Sequence, residues 1–273
     1  MADADSTPNT LWKLFSETVE KHPNQSAVVF EDAILTRYEL YERASVIASN
    51  LANSSNVAIL LPPSIDFVAS ILACLKVGAP YVPLECDDPV ERLNQIVAAS
   101  RAKTIISTSS VSLEGLSIGG SELVLVDSLV AKEPSAAPKR TDDVPYIIFT
   151  SGSTGKPKGV MVTAEGLVCY LNSIQERLNL SSEFTFLHAT TLSADLGNTV
   201  LFPPLVFGGT LHLLRRRDAR DAQVVTNYIA KHGIDVAKIT PSHAAMLEGV
   251  SVIKWFETDG GLTLRSRRSS GLS

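Results

Sequence analysis

Residues Tyr146 to Met161 read YIIFTSGSTGKPKGVM, and here the residue types and their spacing could do chemistry. Tyr146 to Phe149 is an apolar run with the pattern of a buried strand. It ends in a loop that gathers hydroxyls (Thr150, Ser151, Ser153, Thr154), glycines (Gly152, Gly155, Gly159) and lysines (Lys156, Lys158). Glycine lets a backbone turn sharply and come close to a ligand. Successive backbone N–H groups in such a turn form an anion-binding concavity. Hydroxyls donate to phosphate oxygens, and a lysine adds a point charge without demanding bidentate geometry. A loop of this make-up would wrap a nucleotide polyphosphate. A plain solvated connection is the bland alternative, but here lysines lie inside the loop, directly after an apolar strand. The P-loop pattern G-x-x-x-x-G-K-[ST] fails on spacing. Only two residues separate Gly152 from Gly155, and Pro157 follows Lys156 where Ser or Thr is required.

The elements that must position this loop alternate. Leu11, Leu14, Phe15 and Val19 share one helical face, which predicts a helix over 10–21. Ala27 to Phe30 and Ala33 to Leu35 read as a hairpin. Thr36 with Glu39 makes a capping box opening a helix to about Ala52. Val57 to Leu61 is a buried strand, and Ser64 caps an apolar helix ended by Gly78. Tyr81 to Leu84 is a strand, and Asp88, Pro89 and Glu91 start a helix. Thr104 to Ser107 and Leu123 to Val126 are strands. Residues 131–143 have linker composition.

Beyond the loop, Glu165 to Leu178 is helical, Phe184 to Thr190 a strand, Leu196 to Phe207 mostly helix and Thr210 to Leu214 a strand. A helix around Val224 to Ile229 ends at Gly233, Asp235 to Ile239 is a strand, and Ser242 caps a last short helix. Alternation of this kind implies an α/β fold with parallel-rich sheets covered by helices on both faces. The expected division is a first α/β part over 10–130, a linker over 131–143, a second part over 144–250, and a disordered tail over 251–273. The break at 131–143 is expected to separate two sheet layers. No internal repeat is found.

The chain has 273 residues, enough for one large or two ordinary domains. Hydrophobic content of 45% and charged content of 19% are ordinary for a globular protein. A net charge of -5 argues against a nucleic-acid binder, and no apolar run approaches the roughly 20 residues of a membrane span. The start, MADADSTPNT, is not a secretory signal. Cys74, Cys86 and Cys169 are too far apart for a zinc cluster or a disulfide framework, so a reducing cytoplasm is expected.

Thr150 to Gly159, TSGSTGKPKG, resembles the phosphate loop of the adenylate-forming (AMP-binding) enzyme superfamily. Other segments fall in that superfamily's order. Leu35 to Leu40 is similar to "LTYxEL". Leu75 to Leu93, LKVGAPYVPLECDDPVERL, is close to the "LKAGxAYVPLDPxxPxERL" block of nonribosomal peptide synthetase adenylation domains. Phe202-Pro203-Pro204-Leu205 with Gly208-Gly209 resembles "FxxLxxGgxL", and Ile239-Thr240-Pro241-Ser242 resembles "xxTPS". The resemblance covers about residues 10–248. The later "GGE", "YGPTE" and "TGD" blocks and a small C-terminal domain with its lysine have no counterpart, and Glu257 to Gly261 is a scrambled echo. The chain therefore looks like the first half of the large N-terminal domain followed by an unrelated tail, as truncation would produce.

The resemblance implies attack of a carboxylate on the α-phosphorus of ATP, departure of pyrophosphate, and transfer of the acyl group from the adenylate to a thiol. That thiol would be a carrier protein's phosphopantetheine or CoA. Thr150, Ser151, Gly152, Ser153, Thr154, Gly155 and Lys158 would hold the phosphates, with Lys158 the catalytic cation and Mg²⁺ bridging the phosphates. Lys156 is expected to face solvent.

Ser193-Ala194-Asp195 sits where adenylation domains have "FDxS", whose aspartate pairs with the substrate's α-amino group. Asp195 thus suggests an amino acid, although a helix N-cap would also use an aspartate there. By position Leu196, Thr199 and Lys238 would line the side-chain pocket. A lysine among apolar strand residues needs a partner. A substrate carboxylate or amide oxygen would serve, pointing to Asp- or Asn-like substrates; snorkelling to solvent from an edge strand is the alternative. His188 reads as a core histidine. Two rival functions remain: an acyl-CoA synthetase-like ligase for a non-amino acid, and a truncated fragment with little catalysis.

Overall fold

The computed structural model describes residues 10–51, 55–132, 143–151, 156–191, 193, 197–239, 253–258 and 261–266. Two sheets carry the architecture. The first joins six strands in the order β6-β5-β3-β4-β7-β8. These are β3 (Val57–Leu60), β4 (Tyr81–Leu84), β5 (Thr104–Ser107), β6 (Glu122–Leu125), β7 (Tyr146–Ser151) and β8 (Pro157–Val162). All pairs are parallel except β7 with β8. The second sheet runs β12-β13-β11-β9-β10-β1-β2. Its members are β1 (Ser26–Phe30), β2 (Ala33–Thr36), β9 (Thr185–His188), β10 (Thr210–Leu213), β11 (Val236–Ile239), β12 (Ile253–Thr258) and β13 (Gly261–Ser266). Its central strands are parallel, flanked by antiparallel pairs at both edges.

Side chains along a strand alternate between faces, and the buried clusters follow that rule. Val57, Ile59, Tyr146 and Ile148 of the first sheet share one large core with Phe186, Leu211, Leu213 and Val236 of the second. Helices α1 (Thr10–Lys21), α2 (Arg37–Ala48), α3 (Ile65–Val77), α5 (Ala164–Leu178) and α6 (Asn198–Val206) contribute to that same core. The opposite face of the first sheet, through Ala58, Leu60 and Ile147, packs on α4 (Val90–Ser100). The opposite face of the second, through Leu187 and Ala237, packs on α7 (Arg216–Ala219) and α8 (Ala222–His232). Helices therefore cover both faces of both sheets, which burial of continuous apolar strands such as Val57–Leu60 requires.

Local signals place the helix ends. Thr36 and Glu39 form the capping box. Ser64 accepts from the Phe67 N–H, and α3 stops at Gly78 in the left-handed region. The expected start at Pro89 shifts by one residue: Pro89 is the cap and Val90 the first helical residue. The segment 201–209 is held by Arg37, which is fully buried. Its guanidinium donates to the Pro204 carbonyl at 3.2 Å, to Gly209 O at 2.7 Å and to Gln25 Oε1 at 3.4 Å. Burial lowers its pKa to about 10, so it stays charged at neutral pH. At Gly209 φ is +120°, and a Cβ would lie 2.6 Å from the Phe184 carbonyl oxygen, so the close approach needs glycine.

Two expectations differ from the structure. The sheets do not divide at 131–143: β1 and β2, early in the chain, sit in the second sheet, while β7 and β8, late, complete the first. Strand pairing is a non-local choice that a composition break does not mark. The tail expected to be disordered instead contributes β12 and β13, with β13 antiparallel to β11. Each brings a short run of strand-forming residues, and β11 offers its free edge as a template. Residues 133–142 and Ser242 lie outside the described residues.

Candidate active site

The turn expected to hold phosphate is the tip of the β7–β8 hairpin. Register pairs Ser151 with Pro157, Thr150 with Lys158 and Phe149 with Gly159. Gly152, Ser153, Thr154 and Gly155 lie outside the described residues, as does the Ser151 side chain. Directly opposed residues of an antiparallel pair share a face. Tyr146 and Ile148 face the core between the two sheets, so Thr150 and Lys158 continue that face where the hairpin leaves the core. Both are exposed there, and Thr150 Oγ1 lies 3.5 Å from the Lys158 carbonyl oxygen. Glycine at 159 has a packing reason: a Cβ would meet the Phe149 ring at 3.0 Å. Lys156 precedes the strand and is also exposed.

A second polar group lies on the facing sheet. Along β11, Val236 points into the shared core and Ala237 away from it, so Lys238 points inward again. It is 3% exposed. Its Nζ donates to Thr199 Oγ1 at 2.9 Å, and Thr199 Oγ1 also meets Tyr170 Oη of α5 at 2.6 Å. β11 is flanked by β9 and β13, so the snorkelling of an edge lysine does not occur. The structure thus joins two of the sequence-predicted pocket residues, Thr199 and Lys238. Asp195 and Leu196 lie outside the described residues, immediately before α6. Pro203 and Pro204, inside α6, carry no N–H, so the carbonyls of Thr199 and Val200 lack their usual helical donors.

His188, at the end of β9, is 3% exposed, and burial lowers its pKa to about 4. It is therefore neutral. A Cβ on Gly197 would lie 2.4 Å from His188 Nε2, so the imidazole packs directly on the backbone that begins α6. It is a core histidine that abuts the site. Phe202 of α6 stacks on Tyr146 of β7, with centroids 6.4 Å apart and planes at 16°. One aromatic contact of about 0.5–1.5 kcal/mol thereby ties the strand that enters the β7–β8 turn to the helix that carries Thr199.

Sequence reasoning missed Tyr170 and the acidic residue Glu85. Tyr170 sits on the polar side of an amphipathic helix, where periodicity offers no signal. Glu85 follows β4 directly, and the carboxyl end of a buried parallel strand is where open α/β sheets place ligands; that signal was there to use. A cavity of ≈ 550 Å³ opens beside it, lined by Phe30, Leu61, Ser64, Glu85, Arg215 and Arg216 among others. Among the described residues no group of three His, Cys, Asp or Glu is placed to hold a metal ion, and no helix is long and apolar enough to cross a membrane.

The family described as AMP-binding enzyme matches residues 15–270, so the match extends through most of the segment expected to be an unrelated tail. Bacitracin synthase 3 of Bacillus licheniformis is 37% identical over 243 residues, 85% of this chain and 4% of that protein. Tyrocidine synthase 3 of Brevibacillus parabrevis is 32% identical over 249 residues, 88% of this chain and 4% of that one. The chain thus spans a small fraction of the curated relatives it matches. Among solved structures, a holo four-domain nonribosomal peptide synthetase bound to AMP and glycine aligns with a TM-score of 0.77 and 25% identity, covering 89% of this chain and 18% of that one.

Proposed function

The chain belongs to the AMP-binding enzyme family, and from that premise we propose that it activates an amino acid with ATP as its acyl-adenylate, releasing pyrophosphate. The observation that carries the reading is the register of the β7–β8 hairpin, which puts Lys158 opposite Thr150 at the base of a glycine- and hydroxyl-rich turn. The reaction needs little covalent help. It needs in-line positioning and neutralisation of charge on the departing pyrophosphate. Lys158 supplies a cation there. Thr150, Ser151, Ser153 and Thr154 supply hydroxyls, and Gly152 and Gly155 allow the backbone N–H groups to approach. This donor set fits a polyphosphate. Mg²⁺, whose preferred ligands are phosphate oxygens and water, would add charge neutralisation when bound with the nucleotide.

Asp195 is assigned to the substrate's α-amino group, and Leu196, Thr199 and Lys238 to its side chain. A buried ammonium favours an oxygen acceptor. The Lys238–Thr199 pair, 2.9 Å apart in the core between the sheets, therefore supports a side chain ending in a carboxylate or amide, as in Asp or Asn. The acyl acceptor is a thiol, a carrier protein's phosphopantetheine or CoA. Synthesis in the cytoplasm, where ATP and reduced thiols coexist, fits the three free cysteines.

An ATP–pyrophosphate exchange assay across the twenty amino acids, on this chain and on a C-terminally longer one, tests the reading. Exchange with Asp or Asn above the rest is expected. Exchange that survives Asp195→Ala and prefers non-amino acids would assign the chain to acyl-CoA synthetase-like ligases. No exchange by the 273-residue chain, with exchange by the longer one, would make it a fragment.

A further inference from the structure

Glu85 is 7% exposed, and both of its carboxylate oxygens are engaged. Oε1 accepts the backbone N–H of Ser193 at 2.9 Å. Oε2 pairs with Nη1 of Arg216 in α7, whose Nε lies 3.3 Å from Asp87 Oδ2. A buried carboxylate is costly unless its charge is paired and its oxygens are bonded. Here both conditions hold in one geometry, so the group can be held in a single position. The contacts also run between the two sheets. Glu85 leaves β4, which pairs with β7, the strand that enters the phosphate turn. Ser193 lies in the connection between β9 and α6, two residues before Asp195 and six before Thr199. A bond from an amide to an ionised acceptor is stronger than one between neutral groups.

We propose that Glu85 is a positioning residue for the amino-acid site. It fixes the Ser193 amide, which lies in the connection between β9 and α6, relative to β4 and its partner β7, while Arg216 holds the carboxylate in its orientation. The assignment rests on the adenylation reading above. Its consequence is selective. Losing Glu85 leaves the β7–β8 hairpin in place and releases the Ser193 amide ahead of α6, so amino-acid recognition falls while nucleotide recognition stays.

The test uses the full chain with Glu85→Ala, Glu85→Gln and Arg216→Met. Glu85→Gln keeps an acceptor of the same length for the Ser193 N–H; Glu85→Ala removes it. In pyrophosphate exchange, Glu85→Ala should raise the amino-acid KM by about 10-fold or more and the ATP KM by less than about 2-fold, a misplacement effect. Glu85→Gln should recover most of the loss, and Arg216→Met should raise the amino-acid KM by roughly 3-fold. In parallel, hydrogen exchange at the Ser193 amide should accelerate about 10-fold or more in Glu85→Ala, with α2 and α3 unchanged. An equal rise in both KM values overturns the proposal, as does an unchanged amino-acid KM or an unchanged Ser193 exchange rate. Should Glu85→Ala not fold, the same split read from Arg216→Met decides. A wild-type chain without exchange activity removes the adenylation reading and the catalytic part of this proposal together. Hydrogen exchange then decides separately whether Glu85 holds Ser193.

Discussion

Lys158 and Lys238 are the same residue type on facing sheets, and their surroundings differ in every respect that sets what a lysine does. Lys158 lies at the mouth of a hairpin, exposed, opposite another polar residue. Lys238 is 3% exposed, on the interior face of a central strand, and donates to a threonine. An exposed cation costs the fold little and is free to meet an anion that arrives with its own charge. A buried cation constrains which ligand atom may sit beside it. The first placement suits a phosphate common to every turnover, and the second suits a side chain that must be told from others.

The largest expected effect breaks this contrast on the phosphate side. Lys158→Ala should lower kcat of exchange by about 100-fold, the usual cost of removing one donor to developing charge, with thermal stability unchanged within about 0.5 kcal/mol. Stopped-flow or isotope exchange and a melting curve check both halves.

Arg37 shows what a buried cation looks like when its partners are all structural: backbone carbonyls and one amide oxygen. Arg37→Met should leave the Pro204 and Gly209 carbonyls unpaired and cost about 3 kcal/mol in denaturant unfolding, from roughly 1–3 kcal/mol per stranded group. Lys238→Met tests the opposite case. Replacing a buried cation by an apolar chain of similar volume is often neutral or stabilising. Stability should therefore hold or rise while the preference for Asp or Asn over apolar amino acids falls about 10-fold, one lost charge-assisted bond. A Lys238→Met or Lys238→Ala protein with the same substrate profile would remove lysine from the pocket.

The smallest effect on exchange, though not on stability, is set by acid. Burial lowers the pKa of both His188 and His212 to about 4, below the unfolded value near 6.5. Below pH 6.5 the unfolded chain takes up protons that the folded chain refuses. The contribution of these groups is thus complete above about pH 6.5 and is lost as pH falls towards 4, by up to about 1.4 kcal/mol per pH unit for each histidine. His212, which meets Tyr228 Oη through Nδ1 at 3.1 Å, lies on the α8 side, away from the site. His212→Phe should flatten the acid limb of a stability–pH curve without altering exchange kinetics.

Most elements were legible because their signals are local. The capping box at Thr36 and Glu39, the serine cap at Ser64, and the left-handed stops at Gly78 and Gly233 each act within one turn of helix. The short helix Arg216–Ala219 and strand β8 escaped notice. The first spans a single turn. The second runs PKGVMV, where proline and glycine mask a strand pattern. Of the candidate site, the sequence alone offered the turn between β7 and β8 as a phosphate holder and singled out Thr199 and Lys238, which the structure brings into contact. It did not supply Tyr170 or Glu85, since a partner 29 or 108 residues away leaves no local periodicity.

What the sequence by itself determined is the menu: strands, helices, their caps, and a turn whose residue types suit phosphate. Tertiary structure decided membership and facing. It put β1 in one sheet and β7 in the other, turned Lys238 inward beside Thr199, and brought the Glu85 carboxylate to the Ser193 amide. The physical reason is range. Propensity and periodicity are fixed by neighbours a few residues apart, whereas sheet order and buried polar pairing follow from the best joint burial of segments a hundred residues apart.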